Sequence, residues 1–226
     1  MNYRKIPQLV ADELRPLEAY LYLLLASKSD YNTLESKVNQ STLAELSGLD
    51  IRTIRNHLNK MESKGIIIVQ RDRKVGASGA FKFNTYNLSD ENYSLISVDL
   101  LNEPIRKELI GFLVQLKLRC LNFTNLCRYS VRELAATLPY SKSTVDRYLV
   151  EAEREGYIKR DQKGIWLLDK NLFIIDEKSV YELTREFYPE ILTDEDRREH
   201  IVQLKIYLNK RHISSYQGDL CLFFVK

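Results

Sequence analysis

Apolar residues along this chain recur with a helical period in some stretches and a two-residue period in others, and the order of the two is itself informative. Leu17, Tyr20, Leu21, Leu24 and Leu25 follow the spacing of a core-facing helix, with Pro16 at the first turn where proline is tolerated. Tyr31 to Asn39 is polar and predicts a loop carrying a brief strand. From Leu43 to Ile67 the pattern reads as helix, tight turn, second helix and strand. Ser41 is the expected N-cap of the first helix, Gly48 the turn out of it, and Asp50 the cap of the second. In that second helix Ile54, Leu58 and Met61 form one apolar face, and Arg52, Arg55, Asn56 and Asn59 fall elsewhere on the cylinder. Ile66-Ile67-Ile68-Val69 then begins a strand. Arg71, Arg73 and Lys74, the turn Gly76-Ala77-Ser78-Gly79, and the alternation from Phe81 to Tyr86 complete a β-hairpin with a charged tip.

The pattern occurs twice. With an offset of 91 residues, Leu43, Ala44, Thr53, Leu58, Gly65 and Ile67 fall on Leu134, Ala135, Thr144, Leu149, Gly156 and Ile158. Ile105, Leu109, Phe112, Leu113, Leu116 and Cys120 predict a second support helix ahead of these positions. Behind them Tyr157 to Arg160 turns through Asp161-Gln162-Lys163-Gly164 into Ile165 to Leu168, a shorter hairpin. The expected organisation is a first domain over residues 1–88, a partly packed connector over 89–102, a second domain over 103–170 and an extension over 171–226. In the extension a short helix over Val180 to Tyr188, a longer one after Thr193 and a terminal strand over Leu220 to Val225 are expected, completing a core or forming a dimer seam.

The exposed residues of the second helix suit duplex recognition, since arginine pairs bidentately with guanine O6 and N7 and asparagine with adenine N6 and N7. Charge sharpens this. The whole chain carries a formal net charge of only +3, yet Asp50 to Lys82 holds eight Lys or Arg against three acids. Asp176 to Glu199 is acidic, and its simplest role is a solvated face kept clear of DNA. The second copy is chemically poorer: in place of Arg52, Arg55, Asn56 and Asn59 it has Ser143, Asp146, Arg147 and Val150. Lys142, Ser143, Thr144 and Arg147 can still hold backbone or a base pair, with Lys159, Arg160 and Lys163 in the hairpin. The competing expectation for this copy is that it packs against protein.

Three cysteines and three dispersed histidines show no metal-ligand spacing, so no metal and no cofactor is expected. The chain lacks a GxxxxGK[ST] loop, and its 14 tyrosines are read as packing residues, so an enzyme is not expected. No apolar run approaches a membrane span, no signal peptide is evident, and a cytoplasmic location without a membrane partner or small-molecule ligand is expected.

Helix, turn, second helix and hairpin together resemble the winged-helix family. The motifs LAELSGL, RTIRNHL and KGIII are similar to the winged-helix regions of bacterial GntR-type regulators and of plasmid replication initiators, and the opening IPQLV with its early Leu-rich helix looks more like the initiators. The resemblance spans residues 3–88 and, more weakly, 94–169. It implies a mainly α fold with small β-hairpin wings (α+β), arranged as two winged helix-turn-helix domains in tandem. It further implies sequence-specific duplex binding through Arg52, Thr53, Arg55 and Asn56, with the wing on the phosphate backbone or in the minor groove. A regulator of transcription or an initiator of replication follows, with a homodimer as an option. A tandem winged-helix scaffold in replication or chromosome segregation is the second expectation. Two departures stand out: no ligand-binding domain of the GntR type is recognisable, and the second copy lacks a basic, amide-rich recognition face.

Overall fold

The computed structural model describes residues 2–76, 79–120, 125–169 and 171–173, and of 72–76 and 79–82 the backbone alone. The chain starts as strand β1 (Tyr3–Pro7), passes a short helix α1 (Leu9–Glu13) and enters α2 (Pro16–Ser27), the first support helix. Pro16 opens α2 because the first helical amide needs no intrahelical partner, and the Glu18 carboxylate accepts the Arg15 amide at 3.0 Å to close the first turn.

The apolar face expected on α2 is too narrow a description, because the helix is buried on nearly every side from Pro16 to Ala26. A second support helix, α5 (Lys107–Leu118), covers the other side and is itself buried from Leu109 to Leu118. Contact is at backbone level: a Cβ added to Gly111 would stand 1.7 Å from the Pro16 carbonyl oxygen. Glycine is what permits the two helices to approach so closely.

Each support helix heads a similar series. After α2 come β2 (Glu35–Ser36), α3 (Gln40–Ser47), α4 (Ile51–Ser63) and the hairpin β3 (Ile68–Gly76) and β4 (Gly79–Asn87), forming an antiparallel sheet in the order β2-β4-β3. After α5 come β6 (Leu126–Cys127), α6 (Val131–Thr137), α7 (Lys142–Arg154), β7 (Ile158–Asp161) and β8 (Gly164–Leu167), with sheet order β6-β8-β7. The bounds of α5, β6 and α7 lie 91 residues beyond those of α2, β2 and α4.

The segment over 89–102, expected as a partly packed connector, carries a strand and a 3-10 turn. Its strand β5 (Tyr93–Ser97) pairs antiparallel with β1, and a 3-10 turn over Val98–Asn102 packs against α2. An extended segment with apolar Ile96 needs hydrogen-bond partners when it is buried, and the chain start supplies them. The chain also returns here after β8: the Ser97 amide donates to the Leu172 carbonyl at 2.9 Å, and Ile96 bridges Phe173. One continuous apolar cluster therefore runs from Ile6 to Phe173 through both series. The elements expected between Val180 and Val225, and the acidic stretch with them, lie outside the described residues. Among the described residues no helix is long and apolar enough to cross a membrane.

Candidate nucleic-acid interface

Short local devices position α3 and α4. The cap expected at Ser41 is at Asn39, whose Oδ1 accepts the Thr42 amide at 2.7 Å from an extended backbone. Ser41 sits inside the first turn and donates its hydroxyl to the same oxygen at 2.6 Å. A cap must stand outside the helix with its acceptor aimed back at the free amides, and Asn39 does so because the helix begins earlier than the apolar pattern shows. Gly48 ends α3 with φ of +60°, a left-handed conformation that favours glycine. Asp50 then caps α4, accepting the Arg52 amide at 2.8 Å.

With α4 so aimed, Ile54, Leu58 and Met61 enter the core, and Arg52, Arg55, Asn56 and Asn59 are exposed together on its outer side. Thr53 is half-buried. The inner side is fixed by a polar contact as well: the buried Glu18 carboxylate faces His57 Nδ1 at 3.1 Å and Lys60 Nζ at 3.8 Å. Burial works against ionisation of Glu18, but the hydrogen bonds from His57 and the Arg15 amide outweigh it, and its pKa falls below the ordinary carboxylate value. No motif in the sequence singles out this contact.

Between α4 and the β3–β4 sheet lies a cleft of about 220 Å³ lined by Gln40, Arg55, Asn59, Glu62, Arg71 and Asn84 among others. Arg71 is less free than its sequence position suggests. Its guanidinium meets the Glu62 carboxylate at both oxygens, one at 2.7 Å, and the hydrogen bond from Arg71 holds the Glu62 pKa down. Gln40 and Asn84 were not among the expected site residues. Gln40 follows the cap on α3, and its Oε1 accepts Arg55 Nε at 3.4 Å. The side chains of Arg73 and Lys74 lie outside the described residues, although the backbone pairs Arg73 with Lys82 and Lys74 with Phe81 in the hairpin.

The second series places its residues similarly but engages several of them locally. Lys142, Ser143 and Arg147 are exposed on α7 and Thr144 is half-buried. The hydroxyls of Ser143 and Thr144 both lie 3.0 Å from that of Ser141, which caps α7, so they are engaged locally. Arg147 lies over the Tyr148 ring at 5.6 Å. Arg160 of β7 spans Glu153 at 2.8 Å and Asp146 at 3.9 Å, and Arg106 meets Glu151 at 2.6 Å. Lys159 and Lys163 are exposed on the hairpin, and Val150, in the place corresponding to Asn59, is 51% exposed. Among the described residues no group of His, Cys, Asp and Glu side chains is arranged to hold a metal ion.

No curated protein matches the chain. Residues 12–67, from within α1 to the start of the first hairpin, match the family model of a helix-turn-helix domain, and that domain points to double-stranded DNA as the partner of this protein.

Proposed function

We propose that the protein binds duplex DNA in a sequence-specific manner as a pair of winged helices, acting as a regulator of transcription or as an initiator of replication of a plasmid or other mobile element. The observation that carries this reading is the outer side of α4, where two arginines and two asparagines are exposed together on a helix capped at Asp50 and braced from within by Glu18. These are the side chains that discriminate guanine and adenine in the major groove. The hairpin beside α4 is a wing that contacts phosphates, supplying the sequence-independent and salt-dependent part of the affinity.

Selection of bound duplexes from a random pool with the full chain tests the proposal. An enriched motif that is bound far more tightly than random duplex is the expected result, and uniform recovery of all sequences refutes it. Direct repeats of the motif in the host DNA would favour initiation, and a site overlapping a promoter would favour regulation. A scaffold role for the second winged helix is favoured by the exposed Val150 and the acidic Asp146 on α7. In that case α7 variants change protein capture and leave the duplex footprint intact.

A further inference from the structure

The two support helices cross at corresponding residues. A Cβ on Gly111 would lie 3.0 Å from the Tyr20 amide nitrogen, and Gly111 stands 91 residues after Tyr20, the offset that superposes the two series. Corresponding positions meet one another where a rotation axis passes close to them, and a contact that its counterpart returns makes that axis two-fold. The β1–β5 ladder has the same property. Arg4 pairs with Ile96 and Lys5 with Leu95, while Leu95 and Ile96 stand 91 residues after Arg4 and Lys5. The contact of one residue is therefore returned by its counterpart, the mark of an isologous interface. A third contact agrees, since α1 packs on α5 and the corresponding 3-10 turn, Val98–Asn102, packs on α2. The chain holds its two halves about an internal pseudo-two-fold axis, as two subunits of a homodimer are held.

The starts of both outer helices are tied to this seam. Gln115 of α5 donates to the Leu14 carbonyl of the first half at 2.5 Å and accepts the Tyr140 hydroxyl at 2.9 Å, one residue before the cap of α7. Gly48, two residues before the cap of α4, lies against Lys107 at the first turn of α5, whose Nζ would be 4.0 Å from an added Cβ. Both helices thus begin near residues of the seam.

We infer that a single chain binds one duplex site with two arms in inverted orientation, α4 reading bases in one arm and α7 holding phosphates in the other. This rests on the duplex-binding function proposed above. It differs from the direct-repeat or asymmetric site that two modules joined by a linker would read, and it requires no second copy of the chain. The arms are unequal because the acids of α7 are held by Arg160 and Arg106, leaving Lys142, Arg147, Lys159 and Lys163 exposed for backbone contact without the asparagines and arginines of α4. Unequal arms give the bound protein a fixed direction on the DNA.

The test makes the second outer face like the first, with Ser143→Arg, Asp146→Arg, Arg147→Asn and Val150→Asn combined in the full chain; all four positions are exposed. Duplex selection is run with wild type and variant, with circular dichroism to verify folding and native mass to count chains. The variant is expected to enrich the wild-type element twice, in inverted orientation, and to bind that duplex at least tenfold more tightly than a single element with one chain per duplex. Enrichment of a direct repeat, of a single element, or of complexes with two duplexes per chain overturns the inference. If the variant does not fold, the hydroxyl-radical footprint of the wild type decides. Two protected patches on one face of the duplex are expected, one of them lost in Arg147→Glu, and a single patch overturns it. If wild type itself enriches nothing, the failure lies with the proposed function.

Discussion

Glu62 of α4 and Arg71 of β3 are joined by two parallel hydrogen bonds, and Glu153 of α7 and Arg160 of β7 form a corresponding brace in which Arg160 Nε and Nη2 both donate to Glu153 Oε2. Glu153 stands 91 residues after Glu62, while Arg160 stands two residues short of the position corresponding to Arg71. A shift of two keeps a side chain on the same face of a strand, so the brace survives the shorter hairpin. Its effect is to pin the hairpin to the outer helix, and it also keeps one cation of the interface occupied.

Glu62→Gln therefore releases Arg71 toward the phosphates. Affinity for random duplex is expected to rise several-fold at low salt, with the salt slope steeper by about one contact. Fluorescence anisotropy on a random-sequence duplex across a salt series checks this, and unchanged slopes would show that Arg71 is already engaged with DNA or never reaches it.

Arg52→Ala and Arg55→Ala are expected to relax base preference, each costing about 1–3 kcal/mol of discrimination at one base pair. Ser143→Ala, at the position corresponding to Arg52, is expected to leave the enriched motif unchanged, because the Ser143 hydroxyl is turned to Ser141. Competition binding between the enriched duplex and single-base variants separates the outcomes. Equal losses on all sequences would make these arginines phosphate contacts.

The turn at Gly48, the cap at Asp50 and the exposed side of α4 were legible because each depends on residues within a few positions. The seam was not. Leu17, Tyr20, Leu21, Leu24 and Leu25 mark one side of α2, but Tyr22 and Leu23 are just as buried, Tyr22 meeting Ser89 from 67 residues away. The strand in 89–102 was equally hidden, because its partner is the chain start. Arg71 and Arg160 read as free cations for the same reason: the acids that hold them are close in space through the packing of strand on helix, a contact no local period reveals.

Gly111→Ala tests the seam directly. The new methyl group would collide with the Pro16 carbonyl, a backbone atom that cannot rotate away, so the helices must separate. A loss of about 3 kcal/mol or more in urea denaturation is expected, at the upper end for overpacking. A near-neutral result would mean that α2 and α5 slide without cost, and the fixed relation of the two halves would fall with it.

Stability in acid should depend on Glu18. Its pKa is lowered in the folded protein, so the carboxylate contributes stability that is fully present above its ordinary value of 4.5 and is lost as pH falls through the lower folded value. Glu18→Gln is expected to reduce Tm at pH 7, with the difference from wild type shrinking below about pH 4. A difference independent of pH would assign the effect to packing and not to the charge shared with His57 and Lys60.

Lys117 gives a rise of stability with pH in the alkaline range, here because burial disfavours its charged form. It is 4% exposed on α5, donates to Asn125 Oδ1 at 2.6 Å, and burial lowers its pKa from 10.5 to about 8. The unfolded chain binds this proton more tightly, so stability rises with pH between about 8 and 10.5, and below pH 8 the buried ammonium carries a penalty on the order of 3 kcal/mol. Lys117→Met keeps most of the volume and removes the charge, at the cost of leaving Asn125 Oδ1 without this donor, about 1–3 kcal/mol. The expected net change at pH 7 is therefore between neutral and a gain of about 2 kcal/mol. The alkaline rise should be absent from the variant. Urea denaturation at pH 7 and pH 10 on both proteins measures it, and a variant that loses stability at pH 7 but keeps the alkaline rise would place the proton on another group.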